Sequence, residues 1–134
     1  MSPDKIAEEW AVRELGMRKA KAGQRGHDGV LPCGKKIEIK SKKYGAHSDS
    51  ATYVDLSEAK VEGEDAADCL LIVFVDYKTG EVAETVLRSM NYAREIAKAR
   101  TTVTYRIMMS DFKKPETGRE YKNDQTIKVQ QGGV

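Results

Sequence analysis

The feature that most constrains the fold of this chain is an almost uninterrupted apolar run at residues 69–75. A strand of that composition has no polar face, so it has to be covered on both sides, as the inner strands of layered α/β sheets are. After a short turn, residues 81–87 alternate between apolar and polar side chains, which predicts an antiparallel partner strand. The chain is therefore expected to build a sheet with other elements packed on both faces.

The remaining elements are predicted from local signals. Ser2 and Pro3 are typical of a helix start, and Ser89 can cap a second helix in the same way. In chain order the sequence predicts a helix over 2–22, a strand over 51–56, a short helix over 57–61, a helix over 89–100 and a strand over 103–107. We therefore expect an α/β fold with a mixed central β-sheet flanked by helices.

Length and composition limit the organisation of the chain. At 134 residues it is expected to form a single domain over 1–134, with a polar C-terminal tail from about residue 116. No apolar run is long enough to cross a membrane, and the first residues lack the pattern of a signal peptide. Two cysteines make neither a disulfide framework nor a zinc set. A cytoplasmic location is the expectation.

A second stretch, residues 35–41, combines the alternating pattern of a strand with charged side chains. Ile37 and Ile39 alternate with Glu38 and Lys40. Successive side chains of a strand point to opposite faces, so the isoleucines can face a core while the two charged residues share the other face.

A hairpin is expected to bring a second carboxylate to that polar face. Residues 26–31 read as another short strand, and Pro32, Cys33 and Gly34 supply turn chemistry between the two. The hairpin would bring Asp28 back beside Glu38. Two carboxylates held that close are unfavourable unless a cation joins them, and Mg²⁺ and Mn²⁺ prefer carboxylate oxygens.

An Asp, then nine residues, then Glu-x-Lys on a strand resembles the pattern of the PD-(D/E)XK nuclease superfamily, and locally that of small type II restriction endonucleases. The resemblance covers about residues 24–41. It implies that Asp28 and Glu38 hold Mg²⁺, for which Mn²⁺ can substitute, with help from the backbone carbonyl of Ile39. It also implies that Lys40 sits at the attacking water and the scissile phosphate. His27 stands where many members of the superfamily have Pro.

The resemblance further implies a restriction-endonuclease-like core, with a Glu of the first helix directed at the metal. Glu8, followed by Ala11 and Leu15, matches the usual local spacing. Glu14 falls on the same inner arc of the helix, and an ordinary solvated role is open for either, but the spacing favours Glu8 as the catalytic glutamate.

Glu-x-Lys occurs three times, at 38–40, 58–60 and 120–122. Only the first triplet is flanked by β-branched residues and follows an Asp and a glycine-containing turn. The second lies in a helix-favouring run and the third in a polar segment. The context therefore selects Lys40 and predicts that replacing Lys60 or Lys122 leaves activity nearly normal. The alternative is an ordinary cross-strand ion pair on a solvated strand face.

Charge is distributed unevenly along the chain. Residues 18–43 carry nine basic side chains against Asp28 and Glu38, whereas residues 55–84 are mainly acidic. A basic block around the predicted site suits a polyanionic substrate. We expect the following side chains to contact DNA: Arg25, Lys36, Lys42, Lys43 and His47. A second basic set, Arg94, Lys98 and Arg100, is a further candidate for phosphate contacts.

The predicted function is hydrolysis of DNA phosphodiester bonds, and the resemblance implies products with a 5′-phosphate and a 3′-hydroxyl. A restriction-type endonuclease acting on duplex DNA as a homodimer is the first interpretation. The alternatives are a Holliday-junction resolvase or other structure-selective nuclease, a homing or phage-borne nuclease, and a catalytically silent DNA-binding protein. No P-loop and no zinc-like spacing of His and Cys competes with these.

Overall fold

The computed structural model describes residues 2–21, 27–45, 52–64, 66–101, 103–115 and 125–128. The helices are α1 (Pro3–Leu15), α2 (Glu58–Glu62), α3 (Met90–Ile96) and α4 (Met109–Phe112). The strands are β1 (Arg18–Lys19), β2 (Gly29–Val30), β3 (Lys36–Lys43), β4 (Tyr53–Ser57), β5 (Cys69–Asp76), β6 (Glu81–Ser89), β7 (Lys98–Ala99), β8 (Thr104–Met108) and β9 (Gln125–Lys128). None of the helices in these ranges has the length and apolar character needed to cross a membrane.

The main sheet has six strands in the order β1-β2-β3-β5-β6-β9. Strands β3 and β5 run parallel, and the other neighbours are antiparallel, so the sheet is mixed as predicted. Strand β5 is buried from Cys69 to Val75, and only Asp76 at its end is partly exposed. The apolar run therefore forms the covered inner strand that the sequence predicts.

Two hydrophobic clusters cover the two faces of this sheet. On one face, α1 contributes Ala7, Trp10 and Ala11, which pack with Ile37 of β3 and Leu71 of β5. The other face packs against the second sheet and the helices α3 and α4, through a cluster that includes Leu56, Leu70, Ile72, Met90, Ile107 and Phe112. The α/β class with flanking helices is thus confirmed.

The second sheet is a feature that the sequence did not predict. Strands β4, β8 and β7 form a separate three-stranded antiparallel sheet rather than extending the central one. Val54 and Leu56 turn inward to the shared core, while Tyr53 and Asp55 take the partly exposed alternate positions. The alternation correctly predicts a strand, but periodicity does not say which sheet a strand joins.

The first helix ends earlier than predicted, at Leu15 instead of residue 22. Gly16 takes a left-handed conformation, with φ of 69°, and its N–H donates to the carbonyl of Ala11. Glycine adopts that conformation at little cost, so it stops the helix. Met17 and β1 follow, and they run so close to Gly29 that a Cβ there would lie 2.5 Å from the Met17 sulfur.

Asp68 ties the first residues of the two parallel strands together. Its N–H donates to the carbonyl of Lys36 at 2.9 Å, and its carboxylate accepts from the N–H of Lys36 at 2.8 Å. Its own carbonyl accepts from the N–H of Met90, which places α3 at the same end of the sheet. This junction fixes the register in which Glu38 lies beside Leu70.

The C-terminal half departs from the predictions at three points, the first of which is the short helix α4, which was not predicted. Helix α3 is capped by Ser89 as expected, but it ends at Ile96, and the segment predicted to continue it to residue 100 contains β7. The polar segment after residue 115 was expected to be a tail, yet Gln125–Lys128 forms β9 on the edge of the main sheet. Main-chain pairing at an edge does not require apolar alternation, so composition did not reveal it.

An ionic cluster links β4 to the middle strand β8 and to the residue that follows β7. Asp55 of β4 accepts hydrogen bonds from Arg106 at 2.9 and 3.2 Å and from Arg100 at 2.9 Å. The hydrogen bonds from Arg106 are the largest reason why the pKa of Asp55 lies below its ordinary value.

We predict that Asp55→Asn lowers stability at neutral pH and flattens its acid dependence. A depressed folded-state pKa stabilises the protein above the unfolded value of 3.8, and the gain is lost as pH falls through the folded value. The variant should lose about 1 kcal/mol of unfolding free energy at pH 7, the scale of a partly exposed ion-pair network. Urea unfolding from pH 7 to pH 3 measures this, with exposed Glu64→Gln as control. A constant deficit at all pH values would contradict the prediction.

Candidate functional site

The predicted hairpin forms, and it anchors Asp28 to the central strand. Strand β2 pairs antiparallel with β3, with Gly29 opposite Ile37. The N–H of Asp28 donates to the carbonyl of Ile37 at 2.8 Å, and its Oδ2 accepts from the N–H of Ile39 at 2.7 Å. Asp28 therefore contacts the backbone on both sides of Glu38, through its own N–H and through its carboxylate, which brings the two acids together as predicted.

The alternation along β3 is also confirmed. Ile37 is fully buried in the cluster beneath α1. Glu38 and Lys40 lie in register with Leu70 and Ile72 of β5, which belong to the cluster on the opposite face. Only 1% of Glu38 is exposed, so this polar position is not a solvated strand face.

A cavity of about 190 Å³ opens beside β3, where β2 ends. It is lined by Asp4, Ala7, Glu8, Asp28, Glu38, Ile39, Lys40, Ser41 and Lys60. The cavity is lined by residues of α1 and of α2, which pack on opposite faces of the sheet. It therefore extends to both faces at this edge. All five residues to which we assigned catalysis or metal binding (Glu8, Asp28, Glu38, Ile39 and Lys40) line one space.

The structure separates the two candidate glutamates of the first helix. Glu8 lines the cavity, where its Oε1 lies 3.0 Å from the Nζ of Lys19. Glu14 does not line it, and it sits beside Arg13 with about half of its side chain exposed. Of the two, only Glu8 is placed to serve the site.

The structure places Lys60 in the cavity, although the sequence context selected only the triplet that contains Lys40. Its Nζ lies 2.8 Å from Oε2 of Glu38, whereas the Nζ of Lys40 is 3.9 Å from the same oxygen. The triplet at 58–60 is helical, as expected, but the chain between β3 and β5 carries α2 to the mouth of the cavity. Lys60 is therefore part of the site, and replacing it is not expected to leave the site unchanged.

The charge state of Glu38 reflects competing influences. Burial is the largest of them and raises the pKa of Glu38 above its ordinary value. The hydrogen bond from Lys60 lowers that pKa, the negative charge of Asp28 raises it, and the charges of Lys60 and Lys40 lower it. The net effect is upward, so the two lysines do not fully offset the burial of this carboxylate.

The side chains expected to contact DNA do not share one surface. Lys42 lies on the Glu38 face, with its Nζ 5.6 Å from the ring centre of Tyr53 in the small sheet. The Nζ of Lys43 is 5.6 Å from the ring centre of Tyr77, in the turn after β5. Lys36 is partly buried near the start of β3 and does not line the cavity.

Two other residues predicted to contact DNA, Arg25 and His47, lie outside the described residues, as does the third triplet at 120–122.

The donor set of the cavity suits a hard divalent cation. Among the described residues, no three His, Cys, Asp or Glu side chains converge as a ready metal cluster. Mg²⁺ does not need such a cluster, because it is commonly held by one or two carboxylates and keeps several waters. Within the described part of the chain, Oδ1 of Asp28 and Oε1 of Glu38 accept no hydrogen bond, so one oxygen of each can serve as a ligand. Asp28 and Glu38 therefore fit a bound Mg²⁺ ion.

Two charged residues of the cavity, Lys60 and Asp4, were not predicted as part of it, and neither were Ala7 and Ser41. The sequence indicates Asp4 only as a favourable charge in the first turn of α1, but it also accepts a hydrogen bond from Ser41 of β3. A signal for Asp4 was present, since residues one turn apart on a helix share a face and Asp4 precedes Glu8 by four positions. No local signal points to Lys60.

The chain matches no known protein family and no curated protein in the comparisons made with it.

We predict that Asp28→Ala destabilises the protein more than Asp28→Asn does. Both changes remove the repulsion with Glu38, but only Ala removes the acceptor for the N–H of Ile39. Loss of the partner of this partly buried donor costs about 1 kcal/mol, so Ala should lose that much more unfolding free energy than Asn in urea titrations at pH 7. Equal losses would show that the hydrogen bond does not hold the strand.

Proposed function

We propose that the protein is a divalent-metal-dependent DNA endonuclease that hydrolyses phosphodiester bonds. The observation that carries the proposal is that Asp28, Glu38 and Lys40 line one cavity at the edge of β3. Two carboxylates and an ammonium group in one partly enclosed space form the minimal set for metal-assisted hydrolysis of a phosphodiester.

In this proposal Asp28 and Glu38 hold Mg²⁺, with the carbonyl of Ile39 as a further ligand. When bound, the ion supplies a Lewis acid for a phosphate oxygen and lowers the pKa of a bound water. The surrounding structure holds both carboxylates in position for metal binding. Asp28 is fixed by the N–H of Ile39, and Glu38 is held within the sheet, so little reorganisation is needed.

Lys40 acts on the phosphate side of the site. About a third of its side chain is exposed, so its ammonium can reach a phosphate at the cavity mouth while staying near Glu38. It stabilises the negative charge that develops on the phosphate and orients the attacking water. Water adds to phosphorus and releases a proton to solvent, the bond to the 3′-oxygen breaks, and that oxygen takes up a proton from solvent, so the products are a 5′-phosphate and a 3′-hydroxyl.

The fold supports this proposal through the position of the site. A helix, a hairpin that carries the acids and a parallel partner strand follow each other in the order expected for a restriction-endonuclease-like core. Resemblance of element order is weak evidence for function, so the proposal depends on the cavity. Cutting both strands of a duplex would further require a homodimer that presents two such cavities.

We predict metal-dependent cleavage that is lost in Asp28→Asn and Glu38→Gln. Each change removes a carboxylate charge that would hold the cation, so cleavage rates should fall by about two orders of magnitude or more. The substrates are a linear duplex, a four-way junction and single strands, each with Mg²⁺, Mn²⁺ or EDTA, with mapping of the cut ends.

The substrate that the protein cuts preferentially distinguishes a restriction-type enzyme from a resolvase. Preferred cutting of the duplex supports a restriction-type enzyme, and preferred cutting of the junction supports a resolvase. Tight binding with no cutting in any metal would reject the endonuclease and favour a silent DNA-binding protein. Circular dichroism of each variant checks that the fold is retained, and Glu14→Gln, outside the cavity, serves as the matched control.

A further prediction separates Lys42 from its neighbour Lys43. If DNA lies along the face that carries Glu38, Lys42→Met should weaken binding to all sequences. The slope of log affinity against log salt concentration should then fall by about one unit for each phosphate that the lysine no longer neutralises. Lys43→Met, on the other face of β3, should change neither quantity. Affinity is measured against salt concentration in Ca²⁺, which supports binding without turnover. If only Lys43→Met alters the slope, DNA approaches from the opposite face.

A further inference from the structure

We infer that Lys60 is an internal counter-ion that a divalent cation displaces from Glu38, and that its released ammonium then faces the bound phosphate. This inference rests on the proposed function, because it concerns the same cavity. The Glu-x-Lys motif of β3 gives no role to any residue of α2, so this role is an additional one.

The position of Lys60 gives the first support. Lys60 is closer to Glu38 than Lys40 is, by 2.8 Å against 3.9 Å to the same oxygen, Oε2. It also comes from a different layer, so local strand geometry does not force this contact. The ammonium thus lies on one oxygen of the carboxylate whose other oxygen, Oε1, can bind a metal ion, so the two cations would be close enough to repel each other.

The charge of the buried carboxylate gives the second support. Glu38 is almost completely buried, and a buried carboxylate needs a compensating cation. Before metal binds, Lys60 provides it. A divalent ion held by Asp28 and Glu38 provides more positive charge at the same carboxylate, so Lys60 is no longer needed there and is repelled.

The third support is that Lys60 has room to move. About 37% of its side chain is exposed, and it lines the cavity mouth with Lys40. Release from Glu38 therefore requires only side-chain rotation at the edge of the cavity. The ammonium then remains within reach of an anionic group of the substrate, where it adds to the charge of Lys40.

A second ion pair in the same protein offers a matched control. The Nζ of Lys113 lies 2.9 Å from Oε1 of Glu84, and Glu84 is also buried. The lysine exposures are similar, 41% for Lys113 and 37% for Lys60. Neither Lys113 nor Glu84 lines the cavity, so a divalent ion bound there should leave this pair intact.

The experiment measures lysine acylation by mass spectrometry on the full chain, with and without Ca²⁺ at a concentration shown by calorimetry to be saturating. Ca²⁺ should raise the acylation of Lys60 several-fold and leave Lys113 unchanged. In Glu38→Gln, Lys60 should be acylated rapidly without Ca²⁺ and should no longer respond to it.

Calorimetry on variants provides the second readout. Lys60→Met removes the competing charge, so Ca²⁺ should bind about tenfold more tightly, since removal of a unit charge this close to the ligand oxygen has a large effect. The Lys113→Met variant should bind Ca²⁺ with the same affinity as the protein without substitutions. Thermal unfolding checks both variants, and Lys60→Arg, which keeps the charge, should retain the lower affinity even if Lys60→Met is less stable.

The outcomes are distinguishable. If Ca²⁺ binds but neither Lys60 acylation nor the affinity of Lys60→Met changes, Lys60 is a fixed structural partner and the inference is wrong, while the proposed metal site stands. If neither Ca²⁺ nor Mn²⁺ binds to the folded protein, the proposed metal site fails and the inference fails with it.

Discussion

The structure around the cavity depends on the burial of one carboxylate, that of Glu38, within a packed sheet. Transfer of an isolated ionised carboxylate from water into a protein interior is strongly unfavourable unless it is paired. Here Asp28 adds a second negative charge, and the pKa of Glu38 is raised mainly by burial. A hydrophobic residue at this position would pack at lower cost, and the proposed metal site would give the carboxylate a purpose.

The opening to this carboxylate follows from the length of the neighbouring strands. Strand β3 has eight residues, but its outer partner β2 has only two. Past Gly29 the edge of β3 has no further strand partner among the described residues, and Asp28 satisfies the N–H of Ile39 in its place. The same carboxylate thus replaces a strand hydrogen bond and lines the cavity, which explains how a short hairpin can produce both a sheet edge and a polar site.

Much of this could be predicted from the sequence because the signals are local. The alternation around Ile37, the turn at 32–34 and the apolar run in β5 each depend on residues close together in the chain, and each was predicted correctly. Lys60 could not be placed, because its contact with Glu38 depends on how the chain crosses from β3 to β5. The small sheet was missed for a similar reason: strand periodicity gives burial on one face, but not the identity of the partner strand.

The parallel pairing of β3 and β5 has a consequence for the order in which the molecule folds. The contact of Asp28 with Ile39 spans 11 residues and can form within a hairpin, whereas the pairing of Lys36 with Asp68 spans 32. Closing the longer loop costs more chain entropy and is slower when it builds a parallel pair. The two carboxylates can therefore meet before the lysine of α2 reaches them, so an early hairpin would hold a repulsive acidic pair until the crossover closes.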